Sequence, residues 1–317
     1  MANEKNKTEK KKFHFKGERT RSTLIISGVL IVYLLTLHLN FNAALCSVAR
    51  VGFTAITGLV CVCGTYELIR AVGGKSKLLY TVAGLFSAGC TVTVAYHIAV
   101  PHVGVLLSFY ALLLLVLAVI FNQSIKYIDA VMAFFGSLGL TYALTCAIRL
   151  NDLPYLNERF THLEGLYLFW LSFGCAWLTD VFAFLVGRKV GKHKMSPHIS
   201  PKKSWEGAIG GTVITVGFNL GILFVYSLIA KYAFGNAYFL MQSGIKYLYV
   251  IPVSIILSVV GMFGDLAASV LKRNVGIKDY SRLLPGHGGI MDRFDSCTFV
   301  LSTMYGIMVL VADHLPA

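Results

Sequence analysis

Between Asp265 and Asp295 the chain reads DLAASVLKRNVGIKDYSRLLPGHGGIMDRFD, a run of carboxylates, cations and glycines lying between two apolar segments. Asp265, Ser269 and Lys272 stand at i, i+4 and i+7, so on a helix a carboxylate, a hydroxyl and an ammonium share one face. Asp292 and Asp295, at i and i+3, share a face in the same way where the next segment begins. Arg273, Lys278 and Arg293 add cations that suit phosphate oxygens. In PGHGG, Gly288 and Gly289 follow His287, and such glycines can take up left-handed backbone that turns amides toward an anion. Asp265, Asp292 and Asp295 are hard oxygen donors of the kind Mg²⁺ takes. Carboxylates for a divalent cation beside cations for phosphate make a parts list for phosphoryl or nucleotidyl transfer.

A second cluster precedes the first. Asp180 lies inside an apolar segment, where a charge is costly and calls for a polar cavity or an ion pair. The loop after it, GRKVGKHKMSPHISPKKSWEGAIGG, starts with Arg188 and reaches Lys202 and Lys203 before its first acid, Glu206. A loop so basic attracts anions, and it equally serves as a topology signal. Ser204 can cap the next helix, and that helix's first amides, with Lys202 and Lys203, can hold phosphate. Gly207, Gly210 and Gly211 would admit either a lipid or a second helix close to the backbone. Earlier, Glu67 and Arg70 at i, i+3 are placed to pair on one helix face, and a carboxylate inside an apolar segment is equally costly enough to imply a role of its own.

These groups need a scaffold, and composition says what kind. Of 317 residues, 56% are hydrophobic and 14% charged, with a mean hydropathy of +0.70. A hydrocarbon core about 30 Å thick takes roughly 20 apolar residues per helix. About nine such segments are expected on that scale, near Thr23 to Leu39, Leu45 to Ala71, Leu78 to Val100, Val103 to Phe121, Tyr127 to Ile148, Gly165 to Val186, Gly207 to Ala230, Tyr247 to Leu271 and Phe294 to Val311. Continuous apolar runs, without the alternation of barrel strands, predict an all-α polytopic membrane protein. The formal net charge of +13 follows topology better than nucleic-acid binding. Most of the 28 lysines and arginines fall on one side of a nine-span arrangement, which predicts a cytoplasmic N-terminus and cytoplasmic basic loops. The seven cysteines form no paired spacing for zinc or redox work and read as packing residues. Three regions are expected: a basic arm at 1–22 without a packed fold, N-terminal transmembrane helices at 23–164, and a catalytic transmembrane region at 165–317.

The spaced residues Ser269, Lys272, Arg273, Lys278, Asp279, then Pro285, Gly286, His287, Gly288, Gly289, then Asp292, Arg293 and Asp295 resemble the signature of the phosphatidate cytidylyltransferase, or CDP-diacylglycerol synthase, family. SPKKSWEG at Ser200 to Gly207, and Asp180 followed by GRKVGKHK, are similar to the same family, so the resemblance covers roughly the C-terminal half. It implies transfer of the cytidylyl group from CTP to phosphatidic acid, with Mg²⁺ and a site at the cytoplasmic face. It implies Mg²⁺ on Asp265 and Asp292, with Asp295 as a third ligand or behind them, and leaves a second cation open. Lys272, Arg273, Lys278 and Arg293 would hold the triphosphate. Lys202 and Lys203, with Ser204, Ser269, Arg188, Gly288 and Gly289, would hold the phosphate groups, and His287 would donate to phosphate or organise its loop. CTP, phosphatidic acid and membrane lipids are the implied partners, nucleic acid is not, and a homodimer is left open. A bacterial inner membrane is the expected location. Two rivals stand beside this reading: a CTP-dependent polyprenol kinase, which would move the terminal phosphoryl group, and an ion-coupled transporter using Asp180 and Asp265.

Overall fold

The computed structural model describes residues 28, 46–98, 102–234, 246–284 and 288–314. Apart from Gly28, the expected first span and the basic arm before it lie outside the described residues, as do Pro285, Gly286 and His287. Among the described residues eight helices are long and apolar enough to cross a membrane, and they coincide with the other eight expected segments. They are α1 (Cys46–Ala71), α2 (Lys77–Ala95), α3 (Val103–Ile120), α4 (Tyr127–Asn151), α5 (His162–Val190), α6 (Trp205–Phe234), α7 (Lys246–Asn274) and α8 (Met291–Asp313). The architecture is all-α and polytopic, as the apolar runs require.

Several helices run past the apolar stretch that announces them. Hydropathy marks α5 as 165–186 and α7 as 247–271, whereas the helices run His162–Val190 and Lys246–Asn274. Backbone hydrogen bonding continues into the polar residues, and capping sets the ends. At the start of α5 the buried Glu164 accepts from the Thr161 amide at 2.9 Å, while Thr161 Oγ1 accepts from the Glu164 amide at 3.3 Å. α4 and α5 each hold one π turn, at Gly136–Leu140 and Gly174–Leu178. The second ends two residues before Asp180 and shifts the face on which Asp180 emerges.

Successive helices alternate in direction, so the C-terminal ends of α1, α5 and α7 and the N-terminal ends of α6 and α8 meet at one end of the bundle. A large core of α4 to α8 includes Phe169, Leu223, Leu257, Val300 and Met304. A smaller one joins α1 to α4 through Ile69, Leu79, Leu114 and Ala133. At the opposite end Arg50 Nη2 lies 2.9 Å from Asp152 Oδ1, and His97 Nε2 lies 3.1 Å from Asp152 Oδ2. That network ties α1, the end of α2 and the end of α4.

The most extensive helix pairing is between α5 and α6. Its cause is the glycine set at the start of α6: a Cβ added at Gly207 would lie 2.5 Å from the Ala183 carbonyl oxygen, and one at Gly211 would lie 2.7 Å from the Ala183 nitrogen. Of the two uses the sequence allowed these glycines, close helix approach is the one observed. Before α6 the chain makes an unexpected ribbon, β1 (Lys194–Ser196) against β2 (Ser200–Ser204), antiparallel with Lys194 opposite Ser204. Neither strand carries an alternating pattern. The two helix ends, brought close by the glycines, hold the ribbon together with Glu206, which accepts from the Lys192 and His193 amides at 3.1 and 3.2 Å.

Gly211→Val should therefore lower stability by about 1–3 kcal/mol, the usual cost of forcing atoms into a filled space. Gly217→Ala, where an added Cβ meets nothing within 4 Å, should be neutral or slightly stabilising. Thermal unfolding of both variants in detergent checks the pair.

Candidate functional site

Five acids and two lysines gather at the end of the bundle where α1, α5, α6, α7 and α8 meet. β2 supplies the first lysine. Lys203 turns inward while Lys202 stays exposed at the rim of the cavity. Lys203 Nζ lies 2.5 Å from Asp265 Oδ2 of α7 and 3.6 Å from Asp180 Oδ1 of α5, an arrangement set by charge more than by hydrogen-bond direction. Burial works against the Lys203 charge, but Asp180 and Asp265 outweigh it and raise its pKa, so the side chain stays cationic at neutral pH.

Lys272 of α7 is the second. Its Nζ lies 2.7 Å from Asp292 Oδ1 and 3.9 Å from Asp295 Oδ2, with side-chain exposures of 9% for the lysine and 4% and 8% for the acids. The face shared by Asp265 and Lys272 and the face shared by Asp292 and Asp295 are thus turned toward each other. Lys272 also lies 5.2 Å from the centre of the Tyr280 ring. The Tyr280 hydroxyl is pushed above its usual range by burial and by Asp295, Asp292 and Glu67, and it donates to the Ala268 carbonyl at 3.3 Å.

Asp292 organises the loop before α8. Its Oδ2 accepts from the Tyr280 and Gly289 amides, each at 2.9 Å. Glu67 completes the arrangement from α1. Fully buried, it accepts from Ser281 Oγ at 2.6 Å, the Ile290 amide at 3.0 Å and the Met291 amide at 2.8 Å. The expected pairing of Glu67 with Arg70 does not form; Arg70 Nη1 donates instead to Tyr66 at 3.0 Å. Amides at the start of a helix carry partial positive charge and lack helical acceptors, so they hold the carboxylate more firmly than an exposed guanidinium would. Gly288 has a φ of +83°, and a Cβ at Gly289 would lie 2.5 Å from Glu67 Oε2. Both glycines are needed for the carboxylates to reach the backbone.

Asp180, Asp265, Asp292 and Asp295 line one cavity of about 290 Å³ with Ser200, Lys202, Lys203 and Ser204. Ser204 is buried and caps α6, its Oγ accepting from the Gly207 amide at 3.2 Å. Ser269 is buried one turn beyond Asp265. Arg188, Arg273 and Lys278 are exposed at the same end, and Arg273 Nη1 donates to the Ile277 carbonyl at 3.0 Å. Arg293 is exposed, while its carbonyl accepts from Trp177 Nε1 at 3.1 Å. His287 lies outside the described residues. Glu67 is the member that sequence spacing did not bring into this group: its partners are more than 200 positions away, and its burial within an apolar helix was the only available signal.

Among the described residues no three acidic, histidine or cysteine side chains converge as a ready-made metal cage. Mg²⁺ seldom needs one, being held by one or two carboxylates together with substrate phosphates and water. The donor set fits that mode. Asp292 Oδ2 has both lone pairs engaged by amides, but Oδ1 takes only Lys272 and keeps one free. Asp265 faces the same cavity.

Acids and cations thus meet at one end of a bundle whose helices are long and apolar enough to cross a membrane, the architecture of an integral membrane protein. The sequence profile of the cytidylyltransferase family matches residues 19–311, and the chain belongs to that family. It is similar to proteins named phosphatidate cytidylyltransferase. The one from Staphylococcus saprophyticus is 40% identical over 173 residues, covering 53% of this chain and 61% of that protein. The one from Bacillus subtilis is 39% identical over 151 residues, covering 47% and 51%. The one from Staphylococcus haemolyticus is 39% identical over 149 residues, covering 47% and 52%. The chain thus spans about half the length of the curated relatives it matches.

Glu67→Ala should leave buried amides without an acceptor, at about 1–3 kcal/mol for each, and should speed hydrogen exchange across 280–292. Glu67→Gln keeps one acceptor oxygen and should lie between the two. Hydrogen–deuterium exchange with mass spectrometry reads both variants, and unchanged exchange in Glu67→Ala would show that Glu67 does not hold the loop.

Proposed function

We propose that this protein transfers the cytidylyl group of CTP to phosphatidic acid, forming CDP-diacylglycerol and pyrophosphate. The observation that carries the reading is the convergence of four aspartates with Lys202 and Lys203 on one cavity at the helix ends, in a chain of the cytidylyltransferase family. The names of the bacterial relatives support the choice of lipid.

In the reaction a phosphate oxygen of phosphatidic acid bonds to the α-phosphorus of CTP as the bond from that phosphorus to the bridging oxygen of the β-phosphate breaks, and pyrophosphate departs. A phosphate monoester is largely ionised at pH 7, so the nucleophile needs no strong base. The difficulty is to bring two anions together in line. Exposed Arg188, Arg273 and Lys278 at this end of the bundle attract negative phosphates, Lys202 stands at the cavity rim, and Lys203 supplies a cation inside it. Arg293 is assigned with them to the triphosphate. Asp265 and Asp292 are the residues that would hold Mg²⁺, with Asp295 behind them. When bound, Mg²⁺ neutralises charge on the phosphates as it develops. At about 290 Å³ the cavity suits the phosphate end of a nucleotide, with the lipid chains left in the bilayer.

The site end carries Arg188, Lys189, Lys192, Lys194, Lys202, Lys203, Lys272, Arg273, Lys278 and Arg293, while the opposite end carries Arg50, Arg149, Arg159, Lys231 and Lys246. We place the site end in the cytoplasm on that charge bias, in a bacterial plasma membrane.

Incubation of the purified protein with phosphatidic acid, Mg²⁺ and CTP labelled at the α-phosphate should put label into lipid, and label at the γ-phosphate should appear only in pyrophosphate. Asp265→Asn should reduce kcat by roughly two to three orders of magnitude, the scale of losing a key electrostatic group. Transfer of the γ-label to lipid would make the protein a lipid kinase instead.

A further inference from the structure

A second cavity, of about 810 Å³, lies at the opposite end of the bundle from the aspartates. It is bounded by the C-terminal halves of α2 and α4 and the N-terminal half of α3. The helices diverge there because α3 packs mainly against Tyr127–Phe135, the start of α4. The stacked rings of Phe86 and Tyr110, with centroids 3.8 Å apart, close its deep end beside Leu138. From Leu138 to Arg149 on α4 the cavity runs about 16 Å at the rise of a helix. Its deep part is apolar and its outer part polar.

At the outer part the charges are unevenly matched. Asp152 is paired with Arg50 and lies within hydrogen-bond distance of His97. Arg149 also lines the cavity; its Nε is buried without a hydrogen-bond partner, and its guanidinium rests 5.5 Å from the centre of the Tyr305 ring. Among the described residues no carboxylate pairs with it. A cation above an apolar slot that opens between membrane helices calls for an amphiphile with an anionic head.

We infer that this cavity binds an anionic phospholipid from the leaflet opposite the candidate active site, its head on Arg149 and an acyl chain between α2, α3 and α4. The other occupant to weigh is the chain's own segment from Thr23 to Leu39. That segment contains no aspartate or glutamate, so it would leave Arg149 without a counter-ion. The inference does not depend on the proposed reaction, because it concerns a different end of the molecule.

Native mass spectrometry of the delipidated full chain, titrated with phosphatidylglycerol or phosphatidylcholine, tests it. Two variants separate this cavity from the aspartate site. Arg149→Gln removes the cation, and Gly89→Leu fills the cavity from a position where an added Cβ meets nothing within 4 Å. The wild type should bind phosphatidylglycerol roughly tenfold more tightly than phosphatidylcholine, the scale of one charge-assisted hydrogen bond. Arg149→Gln should lose that preference, and Gly89→Leu should retain less of either lipid with its melting temperature unchanged. Equal binding of the two lipids by the wild type, a preference that persists in Arg149→Gln, or binding unaltered by Gly89→Leu would overturn the inference. Inorganic phosphate bound as tightly as the lipid would overturn its amphiphilic part.

Discussion

Four aspartates cannot crowd into one end of a helical bundle without counter-charge, and two lysines provide it. Lys203 stands between Asp180 and Asp265, and Lys272 between Asp292 and Asp295. For the buried Lys272–Asp292 pair, removing one member costs several kcal/mol, since the remaining charge is left without compensation, while the partly exposed Lys203 cluster costs less. The bundle end is therefore held in one arrangement by charge. The same acids face a cavity, so the groups that hold the end together are also the groups to which the proposed function assigns a cation and its phosphates.

Packing decides where those charges stand. Glycines at the start of α6 let it approach the α5 backbone, which draws the intervening ribbon over the bundle end and turns Lys203 inward. On the other side Glu67 reaches from α1 to the first amides of α8 and fixes the loop that Asp292 also binds. Residues from both halves of the chain thus shape one site, although the family signature is concentrated in the C-terminal half.

Much of this was legible in the sequence. Long apolar runs specified eight of the observed helices, and i, i+3 and i, i+4 spacing placed Asp265 with Lys272 and Asp292 with Asp295 on the faces that meet. Helix ends were less legible, because the hydrogen bonds of α5 and α7 continue through polar residues that hydropathy discounts. The β ribbon had no alternating pattern to announce it. Glu67 was half legible: the cost of a carboxylate in an apolar segment pointed to a role, but sequence spacing offers only local partners, and Arg70 was the one at hand. Its true partners are backbone amides, which carry no residue-type signal at all. Asp292 shows the same limit: its type indicated a ligand, while its second oxygen is spent on the Tyr280 and Gly289 amides.

In the proposed reaction these carboxylates hold a divalent cation together with the nucleotide's phosphates. Electron paramagnetic resonance of Mn²⁺, standing in for Mg²⁺, measures this on the purified protein with and without CTP. Weak Mn²⁺ binding by the protein alone, tight binding when CTP is present, and loss of that gain in Asp265→Asn are expected. Equal Mn²⁺ binding by the wild type and Asp265→Asn in the presence of CTP would contradict that assignment.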